Sequence, residues 1–327
     1  MQIGKIPGND LEKLILNKIK FKREDVLVHA GMGEDTAIVD LDGELLVISS
    51  DPITGASKNA GHLAVHVACN DIVTSGAEPV GIQVVLLLPE TIKEEELSEL
   101  MNEIEETASS INVEVLGGHT EILSAVSKTI ISVTAIGKVS RENYLASSNA
   151  RVGDDLVLSK GLGIEGIYIL ANDYSELLLE TGVSEKALSH ARKYKEKISV
   201  IKEGLIAAEM GANAMHDVTE GGLYGAVEEM LTSSSLGFEL NYDLFPITEE
   251  CKEISRALDI EAAALISSGS MLISIKDSAK LIKRLEKEGI RAACIGKVLE
   301  KGQYIIKDGK KRDFNWSRKD ELWSLME

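Results

Sequence analysis

Five acidic residues stand where predicted helices and strands end, close to glycines that leave the backbone accessible to a ligand. They are Asp35, Asp51, Asp71, Glu121 and Asp217. Asp51 follows a predicted strand at residues 45–50, and open α/β sheets bind ligands at the carboxyl ends of their strands. Asp71 comes about one turn before a predicted helix end at Gly76, where the helix dipole disfavours a negative charge unless a cation compensates it.

Glycine pairs adjoin two of these acids. The pairs are Gly117-Gly118, in front of Glu121, and Gly221-Gly222, behind Asp217. A helix cap or a turn does not need such a pair, whereas a loop that approaches a phosphate does. Each acid taken alone is equally well explained as a cap, a turn residue or a solvated strand end. Taken together, oxygen ligands on several loops suit Mg²⁺ held jointly by the protein and by nucleotide phosphates.

A glycine-rich segment, GLGIEG at residues 161–166, follows a predicted strand and matches the GxGxxG pattern of dinucleotide-binding loops. Glu180 lies at roughly the spacing of a ribose-binding acid. A dinucleotide-binding unit also needs a second parallel strand within about 30 residues, and residues 168–197 are helical and charged instead. The pattern favours a tight strand-to-helix turn, with a phosphate-facing loop and a dinucleotide site as alternatives.

Strands and helices alternate in the first half of the chain. Asp42-Gly43 suits a two-residue hairpin turn, Gly76 suits a helix end, and the polar residues 147–149 interrupt the alternation. The predicted elements are strands at 36–41, 45–50, 81–88, 113–116 and 129–139, with helices at 63–75 and 92–111. We therefore expect an α/β (α+β) protein with two domains, at residues 1–150 and 151–327. The second half is predicted to begin with a strand at 155–159 and to be helical up to about residue 210.

Composition excludes several classes of protein. The chain has 327 residues, 44% of them hydrophobic, which suits one large core or two medium ones. Its net charge of −18 disfavours nucleic acid and anionic membranes as partners. Three scattered cysteines form no disulfide framework or zinc-type pair, and no apolar run reaches the length of a membrane span. A cytoplasmic protein without membrane or nucleic-acid partners is the expectation.

Short segments along the chain resemble, in order, the aminoimidazole ribonucleotide synthetase superfamily. They are GEDTAI (33–38), SSDP (49–52), CNDI (69–72) with GAEP (76–79), GGHTE (117–121) and HDVTEGGL (216–223). That superfamily includes the hydrogenase maturation factor HypE, formylglycinamidine ribonucleotide synthetase, selenophosphate synthetase and thiamine monophosphate kinase. The resemblance spans nearly the whole chain and looks closest to HypE-like proteins.

The resemblance implies two domains like those of aminoimidazole ribonucleotide (AIR) synthetase. It implies a homodimer formed through the N-terminal sheet. It also implies that ATP and Mg²⁺ bind in the cleft between the two domains. It implies that the five acids named above hold metal or phosphate. It also implies a nucleotide site, and the residues predicted to line that site are Lys5, Asp35, Asn70, Gly117, Gly118, His119 and Thr120. No residue is singled out as catalytic.

The expected activity is Mg-ATP-dependent phosphoryl transfer that activates an oxygen of a small-molecule or protein-bound acceptor, as in carbonyl or amide dehydration, amidine-type chemistry or hydrogenase maturation. HypE acts on a cysteine at its own C-terminus, whereas the last cysteine here is Cys294. The selenophosphate branch uses a reactive cysteine or selenocysteine in an N-terminal loop, and residues 1–34 contain no cysteine. A kinase of the thiamine monophosphate type and a catalytically silent ATP-binding subunit are the alternatives.

Overall fold

The computed structural model describes residues 8–53, 58–316 and 319–326. Two mixed sheets, each covered by helices, form the two halves of the molecule. The predicted combination of helices and sheets in both halves is confirmed. Within the described residues, none of the helices has the length and apolar character needed to cross a membrane. Lys5, predicted to contact phosphate, lies outside the described residues.

The first sheet is six-stranded and largely antiparallel. Its strands are β1 (Val26–Val28), β2 (Ala37–Leu41), β3 (Glu44–Ile53), β4 (Glu78–Leu88), β5 (Glu114–Ile122) and β6 (Ile130–Ser140), and the helices of this half are α1 (Gly8–Leu14), α2 (Ala60–Thr74) and α3 (Glu94–Ser110). The strand order is β1-β2-β3-β6-β4-β5, and only β4 and β5 are parallel neighbours. α2 packs against β3, β6 and α3, which buries Ile72 and Ile104 in a common core.

Local turn signals in this half behave as predicted. Asp42 and Gly43 have φ values of 57° and 108°, and Leu41 pairs with Glu44 across the turn. Residues that tolerate positive φ therefore close the β2–β3 hairpin. Gly76, with φ 70°, donates its N–H to the carbonyl of Val73 and ends the α2 turn.

Asp51 lies inside β3 instead of after it. The predicted strand ended at residue 50, but β3 continues to Ile53. The extension arises because β6 is long enough to pair with it, with Asp51 opposite Val133 and Ile53 opposite Ile131. Strand length here is decided by the partner strand, which a local pattern does not include.

The glycine pair at 117–118 also lies within a strand and not in a loop. β5 was expected to end at residue 116, but it runs through Gly118, His119 and Glu121 to Ile122 in parallel register with β4. Gly118 has φ 152°, and a Cβ there would lie 1.8 Å from the carbonyl oxygen of Val84. The glycine lets β5 approach β4 closely, past an irregularity in the register between Ile82 and Gln83.

The second sheet has seven strands in the order β13-β12-β9-β11-β7-β10-β8, of which only β9 and β12 are parallel neighbours. The strands are β7 (Asp155–Ser159), β8 (Ala214–Asp217), β9 (Gly237–Asn241), β10 (Met271–Ile275), β11 (Ala292–Leu299), β12 (Gln303–Lys307) and β13 (Lys310–Asp313). The helices are α4 (Ile164–Asp173), α5 (Ser175–Glu180), α6 (Glu185–Arg192), α7 (Ile201–Glu209), α8 (Gly222–Ser233), α9 (Glu249–Leu258), α10 (Ser278–Lys287) and α11 (Glu321–Met326).

The GLGIEG segment is a tight turn from β7 into α4. Both neighbours of β7, β10 and β11, are antiparallel to it, so the segment does not belong to a parallel βαβ unit. Gly163, with φ 63°, precedes the helix, and Ser267 Oγ accepts the N–H of Ile164 at 3.0 Å. A Cβ on Gly166 would lie 2.5 Å from Leu265 Cγ. These glycines serve the turn and close packing, as the favoured interpretation predicted.

Helix α2 connects the two halves. Val73 on α2 belongs to a core cluster with Met271 of β10. Asn70, also on α2, donates its amide to the carbonyl of Ile198 at 2.9 Å and accepts the N–H of Val200 at 2.8 Å. These contacts hold the carboxyl-terminal end of α2 against the second half, where β8 also contacts it.

Candidate functional site

A cavity of about 660 Å³ opens between the two halves. Strands, helices and loops from both sheets contribute to its wall. The lining residues are Glu34, Asp35, Asp51, Pro52, Ile53, Val67, Asp71, Lys128, Glu165, His216, Asp217, Thr219, Glu220, Ile266, Ser268 and Trp323. Seven of them are acidic and only Lys128 and His216 can carry a positive charge, so the cavity is strongly anionic.

Four of the five predicted metal-binding acids line this cavity. Asp51 comes from β3, Asp71 from α2 and Asp217 from the end of β8, and Asp35 precedes β2. Close packing positions Asp35, because Gly33 has φ 71° and a Cβ there would lie 2.3 Å from the carbonyl oxygen of Glu229. Residues far apart in the chain thus place four carboxylates around one space.

Asp71 and Asp217 are the two buried acids of these four, with 6% and 1% of their surface exposed. The hydroxyl of Ser49 donates to Asp71 Oδ2 at 2.5 Å. Burial, and then the nearby carboxylates of Asp51 and Asp217, raise the pKa of Asp71 well above its ordinary value. Carboxylates crowded in this way favour a bound cation, because a cation removes both the desolvation cost and the mutual repulsion.

His216 is a buried positive charge within the acidic group. Its Nδ1 lies 2.7 Å from the carbonyl oxygen of Asp217, and its Nε2 lies 3.1 Å from Asp35 Oδ1 and 3.4 Å from Glu229 Oε2. Burial alone lowers the pKa of His216, but the carboxylates of Asp35 and Glu229 outweigh it and raise the pKa to about 10. A protonated imidazole only donates hydrogen bonds, so His216 orients Asp35 and Glu229 and is not a metal ligand in this state.

The donor set fits magnesium. Carboxylate oxygens of Asp35 and Asp217 lie within 4.8 Å of each other and of a ring nitrogen of His216, and Asp51 and Asp71 add carboxylate oxygens to the same wall. Mg²⁺ takes oxygen ligands, commonly one or two carboxylates together with substrate phosphates. The aspartates are therefore suited to hold a nucleotide-bound Mg²⁺, with His216 as their counter-ion.

Glu34, next to Asp35, forms hydrogen bonds with the segment that joins the two halves of the molecule. Its carboxylate accepts the N–H of Ser147 at 3.1 Å and that of Ser148 at 3.3 Å. These serines begin the short 3₁₀ turn at Ser147–Asn149. The residue beside Asp35 is thereby fixed by the segment at which the sequence pattern predicted a domain boundary.

Glu165 is a functional candidate that the sequence patterns did not reveal. It lies on the first turn of α4, is only 4% exposed and lines the cavity. The hydroxyl and the backbone N–H of Ser268 both act to lower the pKa of Glu165. Glu165 Oε2 has no hydrogen-bond partner among the described residues. Burial raises the pKa of Glu165 from 4.5 to about 7, so its carboxyl group changes protonation near neutral pH.

The raised pKa of Glu165 predicts a pH-dependent stability. Between pH 4.5 and about 7 the folded protein keeps a proton here that the unfolded chain releases, so the free energy of unfolding falls as pH rises through this window. Glu165→Gln removes the contribution of Glu165 to this slope, to which buried Asp320 and Asp71 also contribute. Between pH 4 and pH 8 the variant should therefore lose up to about 3 kcal/mol less stability than the wild type. Urea unfolding of the wild type and of Glu165→Gln at pH 4 and pH 8 measures this difference in the free energy of unfolding. Glu180→Gln, at an exposed position, is the control. Equal pH dependence in wild type and Glu165→Gln would contradict the prediction.

The other predicted site residues that the structure describes do not line the cavity. Asn70 uses its side-chain amide to bind the backbone of residues 198 and 200. The others lie on the exposed edge strand β5; they are Gly117, Gly118, His119, Thr120 and Glu121. There His119 Nε2 lies 3.6 Å from Glu121 Oε2. In a single chain these residues are separated from the acidic cavity.

Comparison with known proteins gives matches over both halves. The chain is 27% identical over 312 residues to a putative hydrogenase expression/formation protein of Methanocaldococcus jannaschii, covering 91% of this chain and 90% of that protein. It is 25% identical over 284 residues to carbamoyl dehydratase HypE of Escherichia coli, covering 82% of each.

Solved structures share the fold at about 20% identity. The HypE–HypF complex matches with a TM-score of 0.77 over 93% of this chain and 99% of that chain. HypE in complex with ATP matches with a TM-score of 0.73 over 98% and 97%, and a ThiL protein complexed with AMPPCP and TMP matches with 0.73 over 96% and 98%.

The two halves also match the two halves of one family. Residues 33–139 match the family described as AIR synthase related protein, N-terminal domain. Residues 151–309 match the AIR synthase related protein, C-terminal domain. With the fold, the ordered motifs and the relatives in agreement, the chain belongs to the AIR synthase-related family and is similar to HypE-like hydrogenase maturation proteins.

Proposed function

We propose that this protein is a Mg-ATP-dependent enzyme that transfers a phosphoryl group to an oxygen of an acceptor, in a reaction of the HypE type. The observation that carries the proposal is the convergence of Asp35, Asp51, Asp71 and Asp217 on one cavity. Structures of the same fold are described in complex with ATP and with AMPPCP. A carboxylate-rich cavity of this kind repels a bare triphosphate and accepts one that carries Mg²⁺.

The residues of this chain would act mainly by positioning. Bound Mg²⁺ would neutralise charge on the triphosphate during transfer. The aspartates hold their places through Ser49, His216 and the strand and helix ends that carry them. His216 keeps Asp35 and Glu229 together. Such a preorganised set of charges suits phosphoryl transfer, because that reaction depends on orientation and electrostatics more than on covalent chemistry by the protein.

A small-molecule kinase of the thiamine monophosphate kinase type is the second candidate. The fold match to a ThiL protein complexed with AMPPCP and TMP favours it. The two candidates differ in the acceptor, since a kinase phosphorylates an anionic phosphate ester and a HypE-type enzyme activates a carbonyl or amide oxygen. Steady-state ATP consumption with thiamine monophosphate and with an acceptor carboxamide distinguishes them.

Titration calorimetry tests the nucleotide assignment. Mg-ATP should bind in the micromolar range, and binding should disappear with EDTA, because the carboxylates need the cation to approach phosphates. NADH should not bind with or without metal, since GLGIEG is a turn between antiparallel strands. Binding of NADH and not of Mg-ATP would overturn the proposal. Tight Mg-ATP binding without turnover on any acceptor would identify a silent ATP-binding subunit.

We also propose that the chain forms a homodimer through the edge of the first sheet. β5 ends the strand order of that sheet, and Leu116 and Ile122 on it are 49% and 59% exposed. An exposed edge strand with apolar side chains is a template for pairing with another chain. Sedimentation at micromolar concentration should give a dimer, and Ile122→Lys should give a monomer. A monomeric wild type would contradict the interface.

A further inference from the structure

Glu165 and Trp323 line the cavity from helices that carry none of the predicted metal-binding aspartates. Glu165 is on α4 and Trp323 on α11, and both line the cavity together with Ser268. Asp320 holds α11 in place by accepting the N–H of Gly221 at 2.6 Å. This hydrogen bond links the residue before α11 to the glycine loop before α8, so Trp323 on α11 lines the same cavity as that loop.

Glu165 Oε2 is a buried oxygen at the cavity wall that can accept a hydrogen bond from a ligand. The side chain is 4% exposed, and Oε2 has no hydrogen-bond partner among the residues the structure describes. Leaving a buried polar oxygen unpaired costs free energy comparable to a lost hydrogen bond. Ser268, which also lines the cavity, interacts with this carboxyl group and lowers its pKa by less than burial raises it. A ligand group that donates a hydrogen bond would relieve this cost.

The charge of the wall limits the chemistry of that ligand group. Among the described residues that line the cavity, seven are acidic and two can be positive, and one of these two, His216, interacts with Asp35 and Glu229. An anionic acceptor would meet repulsion here, whereas a neutral or cationic one would not. The indole of Trp323 adds an apolar, planar surface that suits a small planar group or a cation.

We propose that Glu165, Ser268 and Trp323 form the acceptor subsite, and that Glu165 Oε2 binds an N–H or O–H donor of a small neutral or cationic acceptor such as an amide- or guanidine-type group. The proposal rests on the proposed function and specifies its acceptor. The pKa of Glu165, raised by burial to about 7, supports it, because at neutral pH the carboxyl group is present both as an acceptor and as a donor.

The test uses the full chain and simple probes. Trp316→Phe leaves Trp323 as the only tryptophan, and its fluorescence reports binding at the subsite. Acetamide, guanidinium, acetate and inorganic phosphate are titrated with and without Mg²⁺ and a non-hydrolysable ATP analogue. We expect acetamide and guanidinium to bind with millimolar affinity. Acetate should not bind, with or without nucleotide. Phosphate should not bind when nucleotide fills the metal site.

Two substitutions assign the binding to Glu165. Glu165→Met removes both the charge and the acceptor oxygen, so affinity for both donor probes should fall at least about tenfold. Glu165→Gln keeps an acceptor oxygen and the contacts to Ser268, so acetamide should bind within about threefold of wild type while guanidinium weakens about tenfold. Mg-ATP affinity, measured by calorimetry on the same samples, should change less than about twofold in both variants.

The outcomes separate this inference from the proposed function. Equal probe binding in wild type and Glu165→Met, no probe binding to wild type, or tighter binding of acetate than of guanidinium overturns the subsite. Loss of Mg-ATP affinity in Glu165→Gln overturns it as well, because Glu165 would then belong to the metal and nucleotide site. Absence of Mg-ATP binding to the wild type refutes the proposed function alone, since the titrations without nucleotide still decide the subsite.

Discussion

Asp71→Asn should stabilise the metal-free protein and at the same time abolish most of its affinity for Mg-ATP. Asp71 is buried among the carboxylates of Asp51 and Asp217, which raise its pKa. Asparagine is nearly isosteric and still accepts the hydroxyl of Ser49. Removing the buried charge should therefore raise the free energy of unfolding by about 1–2 kcal/mol without metal.

Mg-ATP binding should change in the opposite direction. Loss of one carboxylate from the set that faces the nucleotide-bound cation should weaken Mg-ATP binding by about 100-fold. Urea unfolding in EDTA and calorimetry with Mg-ATP measure the two effects, with the exposed Glu105→Gln on α3 as a control for lost negative charge. A variant that is less stable without metal and binds Mg-ATP like the wild type would show that Asp71 has only a structural role.

Gly222→Ala should destabilise the protein strongly. Gly222 begins α8 with φ 60°, and a Cβ there would lie 2.6 Å from the carbonyl oxygen of Ala263 and 2.7 Å from that of Leu265. These are backbone atoms and cannot move without displacing the loop before β10. We expect a loss of about 3 kcal/mol or more in the free energy of unfolding.

Gly211→Ala is the matched control for this substitution. Gly211 also has a positive φ, 82°, but a Cβ there would meet nothing within 4 Å. Its cost should be about 1 kcal/mol, from backbone strain alone. Mg-ATP affinity should fall only in Gly222→Ala, because α8 carries Glu229, the partner of His216. Equal costs for the two alanines in urea unfolding would show that the close backbone contacts at Gly222 are relieved at little cost.

Local chemistry in the sequence was enough to predict several features of this protein. Asp42-Gly43 predicted the hairpin between β2 and β3, because few residues adopt positive φ at both turn positions. Gly76 predicted the end of α2, and the missing parallel strand predicted that GLGIEG is a turn. The aspartates beside glycines and strand ends were selected as candidate metal ligands in the same way, since each has its pattern within a few residues.

Tertiary structure decided what those aspartates face. The partner strand β6 extends β3 through Asp51, and pairing with β4 draws the GGHTE segment into the exposed strand β5. No sequence pattern near Asn70 predicts its hydrogen bonds with residues 198 and 200. His216 with Glu229, and Glu165 with Ser268, likewise become evident only when the two halves pack together. Turns and helix ends depend on the conformations of neighbouring residues, whereas burial and charge pairing depend on contacts between distant segments, which is why the first could be predicted from the sequence and the second required the fold.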